Sequence, residues 1–211
     1  MNTTSSIANK FAKRYGQIAI LIDPEKSKDK HQLNELIKKA QFAEVDYLFV
    51  GGSTVTHEDF ISTVSYLKKN STIPVVIFPG ASHQISNKAD ALLYLSLISG
   101  RNPEYLIGKH VASISKLKST NLEVLSTGYI LIESGKVTAV EKVTGTKPIM
   151  RNNLHNIIDT AIAGQLLGMK LIYLEAGSGA KYGLTKEIIK KMCLNSNYTY
   201  DDSKLKMFLK W

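Results

Sequence analysis

The chain has 211 residues, of which 44% are hydrophobic and 21% are charged. This is the composition of a globular protein, so intrinsic disorder, a collagen-like repeat and low-complexity tails are excluded. A chain of this length buries roughly 70% of the surface of its unfolded state, which is enough for one sizeable core. We therefore expect one main domain.

Cysteine content and the length of the apolar runs favour a soluble, cytoplasmic protein. Cys193 is the single cysteine, so no internal disulfide can form. Residues 1–16 lack the continuous apolar segment of a secretory signal. The longest apolar runs elsewhere are far shorter than the ~20 residues of a membrane helix.

The formal net charge of +9 has two interpretations, an anionic partner or a solubilising surface. The lysines are dispersed in pairs such as Lys38-Lys39 and Lys68-Lys69, without interleaved aromatic residues. This pattern is not typical of nucleic-acid binding, so we expect no nucleic-acid partner. Peripheral contact with an anionic membrane surface stays open as a hypothesis.

Short apolar runs alternate along the chain with amphipathic stretches. The runs predict strands at residues 18–22, 45–50, 75–78, 91–98, 123–133 and 170–175, and the stretches predict helices at 29–43, 57–70, 153–167 and 184–193. Thr56 is the predicted N-cap of the second helix. Strands without in/out alternation, separated by helices, indicate a parallel α/β sheet that is covered on both faces.

A TIM barrel and an open doubly wound sheet both fit this pattern. A polar or glycine-containing cluster follows nearly every predicted strand, at residues 23–26, 51–53, 78–80, 99–102 and 175–179. A barrel gathers functional groups at the ends of many strands, whereas an open sheet concentrates them at one switch point. The clusters therefore favour a TIM (β/α)8-type barrel.

The end of the chain departs from this scheme. After the helix at 184–193, the sequence contains no apolar strand followed by a glycine loop. We therefore expect an incomplete barrel of about six βα units in residues 1–193, with strands 7 and 8 missing, and an atypical tail at 194–211 from a truncation or an altered reading frame. Two open sheet edges would favour self-association.

Two loops in the first half carry candidate metal and phosphate ligands. Asp23 ends the first strand and is followed by Pro24–Lys26. The carboxylate can hold a hard cation such as Mg²⁺ and Lys26 can contact a phosphate, although Asp-Pro turn chemistry alone explains the same residues equally well. Residues 51–53, Gly-Gly-Ser, offer close backbone approach, and the Ser53 hydroxyl suits a second oxygen ligand or a phosphate contact.

The loop after the sixth strand is more specific. Glu175 is followed by Ala176, Gly177, Ser178 and Gly179. The two glycines permit unusual backbone angles, so successive N–H groups and the serine can form an anion-binding nest. A carboxylate beside that nest is a candidate base for a hydroxyl of the same small phosphorylated molecule.

Six short motifs stand in order at the ends of predicted strands. They are Leu21-Ile-Asp-Pro-Glu-Lys26, Val50-Gly-Gly-Ser53, Phe78-Pro-Gly80, Ser99-Gly-Arg-Asn-Pro103, Ser126-Thr-Gly-Tyr-Ile-Leu-Ile-Glu133 and Tyr173-Leu-Glu-Ala-Gly-Ser-Gly179. Together, over roughly residues 7–193, they resemble the geranylgeranylglyceryl phosphate synthases. This TIM-barrel prenyltransferase family includes bacterial heptaprenylglyceryl phosphate synthases.

The resemblance implies Mg²⁺-dependent transfer of a polyprenyl group from its diphosphate to the 3-hydroxyl of sn-glycerol 1-phosphate, in a homo-oligomer. Asp23 and Ser53 would bind Mg²⁺, and Glu175 would take the proton of the attacking hydroxyl. The glycerol 1-phosphate would lie on Tyr173, Leu174, Glu175, Ala176, Gly177, Ser178 and Gly179, and the prenyl diphosphate along Phe78, Pro79, Gly80, Ser99, Asn102 and Tyr129.

The tail leaves alternatives open. Glycine pairs that follow strands seven and eight in the family, and that complete its phosphate site, have no counterpart in this sequence. Each charged hydrogen bond lost there would cost about 1.5–3 kcal/mol of binding. An inactive barrel remnant or self-associating interaction module is therefore the alternative to the enzyme. Another phosphate-handling barrel enzyme, such as an aldolase or an isomerase, is a third hypothesis.

Overall fold

The computed structural model describes residues 6–13, 16–52, 54–177, 179–195 and 206–210, in which helices and strands alternate. The helices are α1 (Ile7–Lys13), α2 (Lys30–Phe42), α3 (His57–Asn70), α4 (Lys109–Leu117), α5 (Ala139–Thr144), α6 (Leu154–Leu166) and α7 (Lys186–Asn195). The strands are β1 (Ala19–Ile22), β2 (Tyr47–Val50), β3 (Val75–Ile77), β4 (Ala91–Ser96), β5 (Glu123–Leu131), β6 (Leu171–Glu175) and β7 (Lys206–Lys210). The predicted strands and helices are confirmed within a few residues. None of the helices in the described ranges combines the length and the apolar character needed to cross a membrane.

Side-chain caps fix where the helices begin. The hydroxyl of Thr56 accepts a hydrogen bond from the backbone N–H of Asp59 at 3.2 Å, which confirms it as the N-cap of α3. Asn153 caps α6 in the same way by accepting from the N–H of Asn156. Each cap satisfies a backbone donor that has no partner within its helix.

The described residues form two compact units. The first contains the chain up to Tyr94 together with Lys109–Leu125, and the second contains Leu95–Gly108 together with the chain from Ser126 onward.

In the first unit, β1, β2, β3 and the start of β4 pair in parallel and in chain order. Alternate residues of a strand face opposite sides, so Leu48 and Val50 of β2 both enter one apolar cluster. Helix α3 contributes Phe60, Val64 and Leu67 at a spacing of i, i+4 and i+7, each with 0% exposure. Truncating a phenylalanine as buried as Phe60 to alanine costs about 3–5 kcal/mol.

In the second unit, β5 pairs in parallel with β6, and Tyr129 stands directly opposite Tyr173. Ile130, Ile172 and Leu174 belong to the core cluster that contains α6 and α7. Since side chains alternate along a strand, Tyr129 and Tyr173 lie on the other face of the sheet. One face of β5 and β6 therefore packs against α6 and α7, and the opposite face carries the two tyrosines.

Strand β7 corrects one prediction. Lys206–Lys210 pairs in parallel with the whole of β6, from Leu171↔Lys206 to Glu175↔Lys210. The expectation that no strand follows the sixth is therefore wrong for strand seven. The sequence Lys-Met-Phe-Leu-Lys has only three consecutive apolar residues and no following glycine loop, but a strand needs neither to pair with a neighbour. The described ranges contain no eighth strand, so the barrel stays incomplete in them.

Candidate active site

A buried carboxylate stands at the end of β6. The two-residue period of the strand places Tyr173 and Glu175 on one face, and the register with β5 adds Tyr129. The hydroxyl of Tyr173 donates to Glu175 Oε2 at 3.0 Å, and the hydroxyl of Tyr129 also hydrogen-bonds to this carboxylate. The two rings stack with centroids 5.4 Å apart and 21° between their planes. Glu175 is only 2% exposed, so the tyrosines supply the hydrogen bonds that water would otherwise give.

The electrostatics of this trio keep both hydroxyls protonated. Burial, followed by the negative charge of Glu175, raises the pKa of Tyr173 and of Tyr129 far above the usual tyrosine range. At neutral pH each hydroxyl is therefore a donor and Glu175 is their shared acceptor. A carboxylate held in this way has a fixed orientation and can accept a proton from a substrate hydroxyl.

The chain turns sharply directly after Glu175. Gly177 and Gly179 have φ angles of +98° and +67°, in the left-handed region that favours glycine. A Cβ at Gly177 would lie 2.4 Å from Cγ2 of Thr138, so no larger residue fits that position. Two left-handed glycines so close together agree with the predicted anion-binding loop. Ser178, predicted to take part in it, lies outside the described residues.

The flanking residues of this loop face the core. Leu174 and Ala176 are at most 1% exposed and belong to the apolar cluster of the second unit. Any contact that these two predicted residues make with a ligand would therefore come from their backbone.

The loop after β4 contains two further predicted residues, and the side chains of both form hydrogen bonds with backbone groups. Ser99 Oγ accepts a hydrogen bond from the N–H of Leu131 at 2.9 Å. Asn102 donates from Nδ2 to the carbonyl of Thr144 at 2.9 Å and accepts at Oδ1 from the N–H of Glu104. The serine hydrogen and the second amide hydrogen of Asn102 can still be donated to a ligand.

Asp23, in the first unit, is the N-cap of a short 3-10 helix formed by Pro24–Lys26. Its Oδ1 accepts from the N–H of Glu25 at 3.1 Å, and its Oδ2 lies 3.9 Å from Nζ of Lys26. The Asp-Pro turn chemistry is therefore present. The carboxylate is still 30% exposed, and Lys26 extends into solvent with 81% exposure, so both groups can reach a ligand.

The loop after β2 approaches this carboxylate closely. A Cβ at Gly52 would lie 2.9 Å from Asp23 Oδ1, which explains the glycine. Ser53, the second predicted ligand of the cation, lies outside the described residues. In the described part of the chain no three His, Cys, Asp or Glu side chains gather as a metal site would require. One accessible carboxylate nevertheless fits Mg²⁺, which proteins commonly hold through one or two carboxylates, water and a substrate phosphate.

A buried glutamine joins the loops after β2 and β3. Gln84 has 0% exposure, donates to the carbonyl of Gly52 at 2.7 Å and accepts from the N–H of Gly80 at 3.0 Å. The predicted residues Phe78 and Pro79 immediately precede Gly80. The sequence gives no signal for Gln84, because its role depends on two loops that come together only in the fold.

Comparison with known proteins identifies the relatives of this chain. Residues 12–200 match the model of the PcrB family. The chain belongs to the PcrB family. A geranylgeranylglyceryl phosphate synthase from Flavobacterium johnsoniae is 50% identical over 186 residues, covering 87% of this chain and 76% of that protein. One from Methanosphaera stadtmanae is 37% identical, covering 82% of this chain and 70% of that protein.

Solved structures agree with this PcrB-family assignment. The wild-type GGGPS from Thermoplasma volcanium superposes with a TM-score of 0.85 at 27% identity, covering 97% of this chain and 80% of that one. The enzyme from Thermoplasma acidophilum, in complex with its substrate sn-glycerol-1-phosphate, gives 0.81 at 29% identity, covering 89% and 76%. The predicted resemblance and the fold class, an incomplete TIM-type α/β barrel, are both confirmed.

Proposed function

We propose that this PcrB-family chain transfers a polyprenyl group, geranylgeranyl in the first instance, from its diphosphate to the 3-hydroxyl of sn-glycerol 1-phosphate. The observation that carries the proposal is the buried carboxylate of Glu175, fixed by two tyrosines directly before a left-handed glycine loop. The names of the relatives, and the substrate held by the Thermoplasma acidophilum enzyme, support the same chemistry.

The transfer needs one base and a stabilised leaving group. The 3-hydroxyl oxygen bonds to C1 of the prenyl chain while the bond from C1 to the diphosphate oxygen breaks, and the electron pair leaves with the diphosphate. Glu175 accepts the hydroxyl proton. Tyr129 and Tyr173 hold the carboxylate in position, so little reorganisation is needed during the step.

The resemblance assigns a further set of residues to binding the diphosphate, and these residues are part of the proposal. Asp23 would hold Mg²⁺ together with Ser53, and Lys26 would contact a phosphate. Bound Mg²⁺ supplies charge neutralisation for the leaving diphosphate. The segment 78–80, Ser99 and Asn102 would line the prenyl diphosphate.

Product formation tests the proposal directly. Purified protein is incubated with labelled sn-glycerol 1-phosphate, geranylgeranyl diphosphate and Mg²⁺, and the label is counted in an organic extract. We expect product that depends on both substrates and is lost with EDTA. Product from protein with a cooperative thermal transition would exclude the inactive-remnant alternative. No product from cooperatively folded protein would overturn the proposed activity.

A matched pair of variants tests the role of Asp23. Asp23→Asn should lower turnover at least tenfold and raise the Mg²⁺ concentration needed for half-maximal rate. Asp159→Asn makes the same charge change on α6, where the carboxylate is exposed and pairs with His155, and should leave turnover unchanged. Equal effects of the two variants on turnover and on the Mg²⁺ requirement would refute the proposal that Asp23 binds the metal.

The proposal also includes three predictions about the location and assembly of the protein. They are a cytoplasmic location, a homo-oligomer, and contact with an anionic membrane surface where the prenyl diphosphate is found. Sedimentation analysis and vesicle flotation measure the last two.

A further inference from the structure

The segment Gly135–Thr138, between β5 and α5, lies on the glycine loop that follows β6; we call it the Lys136 segment. Thr138 packs against Gly177, where it leaves no room for a Cβ. A Cβ at Gly179 would lie 2.8 Å from Nζ of Lys136, so the ammonium group reaches the same loop. All of these residues belong to the second unit.

Both ends of the Lys136 segment are anchored. At one end the N–H of Tyr182 donates to the carbonyl of Ser134 at 3.0 Å, and the N–H of Gly135 donates to the side chain of Glu133. At the other end Thr138 is 3% exposed and its hydroxyl caps α5. The backbone beside Lys136 is therefore held in place, and the lysine side chain has a short path to the loop.

The charge of Lys136 is not neutralised within the described part of the second unit. Its side chain is exposed and lies within ion-pair distance of no carboxylate there. Arg151 and Lys181 are two other cations near the loop, and both lie over the ring of Tyr182. The Arg151 guanidinium carbon is 4.9 Å and the Lys181 ammonium 5.2 Å from the centroid of that ring. Of these three cations, Lys136 is the one whose ammonium lies against a glycine of the turn.

A phosphate dianion at this loop needs a positive group. Backbone N–H groups of a glycine turn carry only partial charges, and the carboxylate of Glu175 stands directly before the turn. The two negative charges would repel each other. An ammonium group offers three donors and a full charge, and charged hydrogen bonds are about twice as strong as neutral ones.

We propose that Lys136 binds the phosphate of the phosphomonoester substrate and is a specificity-determining residue of this site. The inference rests on the proposed function and deepens it. Lys136 favours a phosphorylated acceptor over the same alcohol without phosphate, and it offsets the charge of the neighbouring base.

Calorimetric titration with sn-glycerol 1-phosphate and with inorganic phosphate tests the inference without turnover. We expect the Kd of Lys136→Met to rise about 10- to 100-fold for both ligands, as the loss of one charged hydrogen bond predicts. The salt dependence of binding should become shallower, and Lys136→Arg should stay close to the wild type.

Lys170→Met is the matched control. Lys170 is exposed and precedes β6, so five residues of strand, about 16 Å, separate it from the glycine loop. The net charge changes by the same amount in both variants, and the Kd of Lys170→Met should not change. Thermal melts verify the fold, and Lys136→Gln replaces Lys136→Met if the latter melts lower.

The outcomes separate the inference from the function on which it rests. Wild-type binding with an unchanged Kd in Lys136→Met and Lys136→Gln overturns the role of Lys136 alone. Equal weakening in Lys136→Met and Lys170→Met also overturns it, because only net charge would then matter. No binding of sn-glycerol 1-phosphate to the folded wild type overturns both the proposed function and the inference.

Discussion

Replacing Glu175 with glutamine tests the chemistry of the site while preserving its shape. The amide occupies nearly the same volume in a position that is 2% exposed, and its oxygen can still accept the hydrogen bond that Tyr173 donates at 3.0 Å. It cannot accept a proton. Because positioned general bases contribute about 10²–10⁴-fold to rate, we expect kcat to fall by that factor.

Substrate binding and folding should change much less. The hydroxyls of Tyr129 and Tyr173 exchange a charged acceptor for a neutral one, at a cost of about 1 kcal/mol each. Burying a neutral amide in place of a carboxylate offsets part of that cost. We therefore expect the Kd for sn-glycerol 1-phosphate to change by less than about threefold, since a carboxylate beside a phosphate does not strengthen binding.

Single-turnover kinetics and calorimetry on the same preparation separate the two effects. Glu187→Gln is the control, because it removes one negative charge from the exposed first turn of α7. Full turnover by Glu175→Gln would refute the role of the carboxylate as a base. Loss of binding with intact folding would make it a binding group instead.

Three further predictions concern phosphate binding and stability. Gly177→Ala should abolish phosphate binding and lower the melting temperature, because a Cβ would meet Thr138 at 2.4 Å and φ is +98°; an unchanged melt would refute this steric account. Gln84→Leu should lower the free energy of unfolding in urea by roughly 1–3 kcal/mol, since the carbonyl of Gly52 and the N–H of Gly80 lose their hydrogen bonds; a loss below about 0.5 kcal/mol would mean that water replaces them. The pKa of Tyr173 is raised above 10.0, its value in the unfolded chain, so the tyrosine contributes stability below pH 10.0 that is lost as the pH rises further. Tyr173→Phe should therefore make the stability fall less steeply with pH on the alkaline side. An equally steep fall would contradict the raised pKa.

The fold was predictable where apolar runs are long and continuous. Strand β6 is such a run, and α3 shows three fully buried residues on one helical face. Helix α4 was not predicted, because its nine residues give only a short periodic signal; Val111 and Ile114 share one helical face but are exposed at 67% and 40%. Helix α5 has six residues, too short a stretch for a periodic signal.

The candidate site was predictable only in its parts. Glu175 and its glycines follow one strand and form a local motif that the sequence displays. The hydrogen bond from Tyr129 was not predictable, because it depends on the register of β5 against β6. The resemblance assigns Tyr129 to the prenyl diphosphate, and in the structure its hydroxyl hydrogen-bonds to the carboxylate of Glu175. Lys136 was missed for the same reason, since it approaches the loop from a different segment of the second unit.

The register of β6 couples the core of the second unit to its chemistry. Ile172 and Leu174 pack against α6 and α7, while Tyr173 and Glu175 alternate with them on the opposite face. A slip of one residue against β5 would turn the carboxylate into the apolar cluster and move two aliphatic side chains to the face that holds Tyr129. The apolar residues of β6 therefore help to fix the direction of the Glu175 carboxylate, in addition to its hydrogen bonds. A cavity-forming substitution such as Ile172→Ala should accordingly reduce turnover in protein that remains folded, and a matched truncation in the first unit, Leu48→Ala, should lower stability without a specific loss of kcat.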